Sequence, residues 1–105
     1  MQPIFETFKE QDFELIDKEN QKCIQCNGKN INTYINGPED APRILFLHGW
    51  HHFIEMHSML INRLIKEFRV LALDLPGHGY SDAFDEYPLE VFIDAIAATL
   101  EAYNF

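Results

Sequence analysis

The chain has 105 residues, 47% hydrophobic and 24% charged, a balance of ordinary globular protein that excludes collagen, a coiled coil or a disordered tail and allows one domain at most. Its 17 acidic and 8 basic residues give a net charge of −9, and the basic ones are scattered rather than gathered into a stripe, which excludes nucleic acid as an expected partner. The longest apolar runs have four residues, as in Ile44-Leu45-Phe46-Leu47, against the ~20 needed to span a bilayer, so no membrane partner is expected either.

Residues 1–20 mix Phe5, Phe8, Phe13, Leu15 and Ile16 with acids and amides, fit neither the helical nor the strand period, and read as a loosely structured lead-in. The opening Met1-Gln2-Pro3-Ile4-Phe5-Glu6 lacks a basic start and an apolar centre, so a cytoplasmic location is the expectation and Cys23 and Cys26 read as free thiols. From Lys22 to Cys26 and from Asn30 to Ile35 two short strands are predicted, joined by Asn27-Gly28, a pair that tolerates the positive φ of a tight hairpin turn.

The turn-rich stretch from Asn36 to Pro42 precedes Arg43-Ile44-Leu45-Phe46-Leu47, whose apolar run without alternation predicts a strand buried on both faces. Between Phe53 and Phe68 the residues Phe53, Met56, Leu60 and Leu64, flanked by Met59, Ile61, Ile65 and Phe68, recur at three and four and predict one amphipathic helix with a wide buried face. Arg69 to Leu73 reads as a second buried strand. A Gly- and Pro-rich loop runs from Asp74 to Asp85, and Pro88 then opens a helix with Leu89, Phe92, Ile93, Ile96, Ala97, Leu100 and Tyr103 on one stripe. Hairpin, strand, helix, strand, helix is an α/β order, in which the strand-helix-strand unit builds a parallel pair with a right-handed crossover.

Two motifs follow the two buried strands: His48-Gly49-Trp50 after the first, and Asp74-Leu75-Pro76-Gly77-His78-Gly79-Tyr80-Ser81-Asp82 after the second. In this order, one helix apart, they resemble the α/β-hydrolase family over residues from about 20 to 105. The resemblance implies an α/β domain over 21–105 after the lead-in 1–20, forming the N-terminal part of a hydrolase sheet that stops before the nucleophile elbow. It implies a small ester-like substrate and an oxyanion hole to which Trp50 contributes its backbone N–H, with His48 and Gly49 shaping the loop. No cofactor is expected, and no metal either, since the histidines His48, His51, His52 and His57 lack a nearby run of acidic or thiolate ligands on one face. By the family's strand order, the last strand of this chain lies between the two before it, which leaves Ile44–Leu47 as an open apolar edge and predicts self-association.

The nucleophile, acid and base that the resemblance calls for are absent, so the chain is expected to be inert alone. Its serines are Ser58 and Ser81, and Gly79-Tyr80-Ser81-Asp82-Ala83 imitates an elbow without the strand-turn-helix context that an elbow needs. The nucleophile itself is a carry-over, serine or aspartate in different branches, and the lack of a Pro after Trp50 favours serine by resemblance. His51 and His52 occupy positions that the family more often fills with small residues. The Trp50 indole is expected to pack against the sheet edge, and both helical stripes are expected to be core. Two rival readings stand beside this one: a non-catalytic binding or regulatory domain completed by another chain, and a small zinc-stabilised module built on Cys23, Cys26 and the loop histidines His48, His51, His52 and His57. Against zinc, cysteines three apart on a strand point to opposite faces.

Overall fold

The structure, a computed structural model, describes residues 14–105. Four strands form one sheet: β1 (Gln21–Cys26), β2 (Lys29–Asn36), β3 (Arg43–Leu47) and β4 (Arg69–Leu73), in the order β1-β2-β4-β3. β1 and β2 are an antiparallel hairpin in which Cys26 faces Lys29, and Asn27 and Gly28 take φ of 51° and 80°, the left-handed pair that a two-residue hairpin requires. β4 pairs antiparallel with β2 and parallel with β3, with Ile44 opposite Val70 and Leu47 opposite Leu73. The α/β class, the hairpin, the parallel pair and the interior place of the last strand agree with the expectation.

A helix covers each face. On one side Ile61 and Ile65 pack with Leu15, Tyr34, Ile54, Val70 and Ala72, and on the other Ala95 packs with Cys26, Ile31 and Leu73. The alternation along β4 is the strand period, with odd and even residues feeding different cores. Val70, Leu71, Ala72 and Leu73 are fully buried, whereas β3, on the sheet edge, is half-buried, and Leu47 is 45% exposed. The expectation that both apolar strands are buried on both faces therefore holds for β4 and is corrected for β3, which among the described residues has a strand partner on one side only.

The first helical stretch differs from the single helix predicted over 53–68. A 3-10 turn at Ile54–His57 leads into a short α-helix, α1 (Ser58–Leu64), and the buried residues are Ile54, Ser58, Ile61, Asn62 and Ile65. Phe53, Met56 and Leu60, three of the four residues expected to face the core, are exposed. The 3-10 start changes the phase of the turn, and polar Ser58 and Asn62 take core-facing positions that hydrophobic periodicity cannot assign to them. Asn62 is fixed there by bonds to the segment before β1: its Nδ2 donates to Glu14 O, and its Oδ1 accepts the Ile16 N–H at 3.0 Å.

That segment corrects the loose lead-in where it is described. Leu15 is buried in the core, the Tyr34 hydroxyl donates to Ile16 O, and a 3-10 turn spans Lys18–Asn20. The part of the lead-in over 1–13 lies outside the described residues.

The second helix, α2 (Leu89–Ala102), begins one residue later than expected, with Pro88 as the extended residue just before it. It buries Ala95 and Thr99 rather than the bulky stripe: Leu89 is 70% and Ile93 52% exposed, with Phe92, Ile96, Leu100 and Tyr103 half-buried. Small residues let the helix approach β1 and β2 closely, and the Thr99 hydroxyl donates back to Ala95 O. Among the described residues no helix is long and apolar enough to cross a membrane.

Candidate active site

β3 and β4 are parallel, so both motifs leave the sheet at the same carboxyl edge, where open α/β sheets bind ligands. The first exit is a tight turn. The His52 N–H donates to Gly49 O at 3.0 Å, and His51, at φ 63°, takes the left-handed conformation that glycine, lacking a Cβ, adopts most easily. Trp50 sits at the outer corner of this turn, 65% exposed, and its amide takes no backbone acceptor among the described residues. The indole does not pack against the sheet edge as expected. Its ring lies edge-on against the rings of His51 and His78, with centroids 4.9 and 5.2 Å away.

His48 is buried and bridges the two exits. Its Nδ1–H donates to Gly49 O at 2.7 Å, and its Nε2 accepts the Leu75 N–H at 3.0 Å, an arrangement only the neutral ring can make. Burial holds its pKa below the usual imidazole value, against the opposing pull of the Gly49 carbonyl and Asp74. His52 packs its ring against Gly49 and shares a hydrogen bond with His57, Nδ1 to Nε2 at 3.1 Å. The pKa of His57 is lowered as well, first by burial and then by His52.

The second exit is organised by Asp74, which is 1% exposed. Its Oδ1 accepts the Ile54 N–H at 2.7 Å, and its Oδ2 accepts the Tyr80 N–H at 3.0 Å and Asn32 Nδ2 at 2.9 Å. One carboxylate thus ties the end of the first loop, the second loop and β2 together. Gly79, at φ 51°, leaves room for it, because a Cβ there would stand 2.3 Å from Asp74 Oδ2. The anchoring role of Asp74 was missed in the sequence reading, although a signal was present. An acid directly after an all-apolar interior strand must find N–H donors in the loops that follow.

Between the two exits lies a cavity of about 280 Å³ lined by Trp50, His51, Pro76, Gly77, His78, Gly79 and Tyr87. A larger cleft of about 510 Å³ lies between the β1–β2 turn and the start of α2, lined by Asn27, Lys29, Phe84, Asp85, Glu86, Pro88 and Val91, away from both motifs.

Neither serine is presented as an elbow nucleophile. Ser58 is 2% exposed, and the Ser81 hydroxyl donates to Asp74 O while accepting the Asn32 N–H at 2.9 Å. Cys26 is buried in the α2-side core and Cys23 is exposed, so the strand holds them on different faces. Among the described residues no three His, Cys, Asp or Glu side chains converge as metal ligands, and the structure does not assemble the zinc module.

The model of a family described as the alpha/beta hydrolase family matches residues 44–104, more than half of the chain. The 3-oxoadipate enol-lactonase 1 of Acinetobacter baylyi is 32% identical over 77 residues, 73% of this chain and 29% of its own length. A pimeloyl-[acyl-carrier protein] methyl ester esterase of Neisseria meningitidis is 33% identical over 61% of this chain and 25% of its own. Among solved structures, the enol-lactonase from Burkholderia xenovorans superposes with a TM-score of 0.73 at 26% identity, over 79% of this chain and 33% of that one. A haloalkane dehalogenase variant from Bradyrhizobium elkanii gives the same TM-score at 24% identity, over 80% and 28%, and shares the fold. The chain spans about a quarter to a third of the length of these relatives.

Proposed function

Because the chain belongs to the α/β-hydrolase family, we propose that it builds one side of an acyl-hydrolysis site, with the Trp50 backbone N–H as an oxyanion-hole donor and His48 and Gly49 shaping its turn. One observation carries this reading. The His48–His51 turn leaves the sheet beside the Asp74–Asp82 loop, at the carboxyl edge of a parallel pair, with the Trp50 amide uncommitted to a backbone acceptor among the described residues. Negative charge develops on the carbonyl oxygen of an ester as a nucleophile adds, and a fixed amide at that point stabilises it without reorganising.

The substrate class is a small ester or lactone, supported by the names of the enol-lactonase and methyl ester esterase relatives. The nucleophile of this reading is a serine other than Ser58 and Ser81, and the reaction uses no cofactor. The test has two arms. The 105-residue chain leaves p-nitrophenyl acetate unhydrolysed and takes no fluorophosphonate label, and labelling of Ser58 or Ser81 overturns the assignment. In a chain extended by a nucleophile-bearing segment, Trp50→Pro removes the N–H and lowers kcat by about 100- to 1,000-fold, the typical effect of losing one oxyanion donor.

A second reading, a non-catalytic module completed by another chain, is favoured by one feature. β3 keeps one edge without a strand partner among the described residues, and Leu47 on it and Phe53, Met56 and Leu60 on the following segment are exposed. The same surface supports self-association through Ile44–Leu47. Co-purification with a second polypeptide of defined stoichiometry discriminates this reading from a soluble monomer.

A further inference from the structure

The turn that carries Trp50 is held by imidazoles in a way the reaction itself does not demand. We propose that His48, His52 and His57 are positioning residues that hold the Trp50 turn only while His48 is neutral and His52 and His57 share at most one proton, so that acidification releases it.

Hydrogen-bond geometry carries the argument. His48 Nε2 accepts the Leu75 N–H, and a proton on that nitrogen would set N–H against N–H and separate the two exits from the sheet. Gly49 O, which receives His48 Nδ1–H, also closes the turn around Trp50 and His51 by accepting the His52 N–H, so the anchor and the turn share one oxygen. The His52–His57 couple tolerates one proton, because a charged ring still donates to a neutral one. A second proton removes the acceptor and sets two cations about 3.1 Å apart. The His52 ring would stand 3.3 Å from a Cβ at position 49, so its displacement reaches the turn directly.

The surroundings do not restore what protonation removes. Asp74 favours a charged His48, while His78, with its ring 5.1 Å away, and His52 oppose it. His57 faces the apolar ring of Phe46 at 5.2 Å, and Glu55, on the same segment, accepts a bond from Gln21 Nε2. Burial lowers the pKa of both His48 and His57, in keeping with seats built for neutral rings. The bearing on catalysis rests on Trp50 being an oxyanion donor, whereas the response of the turn does not.

The test follows backbone amide and imidazole nitrogen signals of the full chain by NMR from about pH 8 to about pH 5, spanning the ordinary imidazole value near 6.5. Expected are the Nδ1–H tautomer at His48, and a shift or loss of the native Trp50, His52 and Leu75 amide signals on acidification while β1–β2 amides stay in place. His48→Gln combined with His57→Gln flattens the Trp50 response, and His78→Gln preserves it. A wild-type response absent, or unchanged in the double variant, overturns the proposal. If the double variant does not fold, the wild type alone decides: His48 protonating without movement of the Leu75 and Trp50 amides also overturns it. Failure of Trp50→Pro to alter catalysis, with the amide response intact, removes the catalytic reading and leaves this one.

Discussion

Replacing Asp74 by Asn tests whether one buried carboxylate holds both loops that leave the carboxyl edge of β3 and β4. The carboxylate accepts three hydrogen bonds, from Ile54 N, Tyr80 N and Asn32 Nδ2, at 2.7, 3.0 and 2.9 Å. An amide keeps one acceptor oxygen. In its better orientation that oxygen serves Tyr80 and Asn32, while the new NH2 group confronts the Ile54 N–H. Leaving a buried donor unsatisfied costs about 1–3 kcal/mol, and turning two charge-assisted bonds into neutral ones costs about 1 kcal/mol each, giving a loss of about 3–5 kcal/mol. For a domain of this size that is a large part of the expected stability. Urea unfolding followed by far-ultraviolet circular dichroism reads the loss, and hydrogen exchange of the Ile54 and Tyr80 amides locates it. A variant within about 1 kcal/mol of wild type, with both amides still protected, would refute the argument that the carboxylate is the tie.

Three further expectations concern the same molecule. Gly79→Ala combines a left-handed φ of 51° with a Cβ placed 2.3 Å from Asp74 Oδ2, and should lower the urea midpoint at least as far as Asp74→Asn. The folded-state pKa values of His48 and His57 lie below the usual 6.5, so the folded chain binds fewer protons than the unfolded one. Their contribution to stability is whole above that value and is lost as the pH falls through the lower folded values. The net charge of −9 relaxes on acidification and acts the other way, so the measurement is the urea midpoint at pH 8 and 5.5 in wild type against His48→Gln, which should show the shallower loss. Leu47→Lys places a charge on β3, whose outer edge has no strand partner among the described residues; if the chain associates through that edge, as proposed, light scattering shows a smaller species than wild type, and identical scattering overturns association through β3.

The strands were legible because their signals are local. Val70 to Leu73 form an apolar run bounded by a charge at each end, Asn27-Gly28 marks its own turn, and the strand boundaries agree to within a residue or two. The helices were legible in position but not in facing. Periodicity marks Phe53, Met56 and Leu60, whereas the buried residues include the polar Ser58 and Asn62, and Asn62 is held inward by Glu14 and Ile16, more than 45 positions away. On α2 the small Ala95 and Thr99 face the sheet while the heavier Leu89 and Ile93 face out, a choice made by the closeness of β1 and β2.

The candidate site divides similarly. His48-Gly49-Trp50 is a contiguous motif, visible in the sequence. The imidazole seat beneath it is not, because the His52–His57 bond follows from the 3-10 turn between them, and the bond from Leu75 to His48 spans 27 positions.

The position of β4 between β2 and β3 also has a consequence during synthesis. The hairpin can zip up as soon as it clears the ribosome, but β3 emerges with both of its edges bare and must wait for residues 48–68 to follow before its neighbour exists. At 5–20 residues per second that interval is on the order of one to four seconds, long compared with the microseconds in which the hairpin forms. For that period Arg43–Leu47 is the segment a nascent-chain chaperone has most reason to hold.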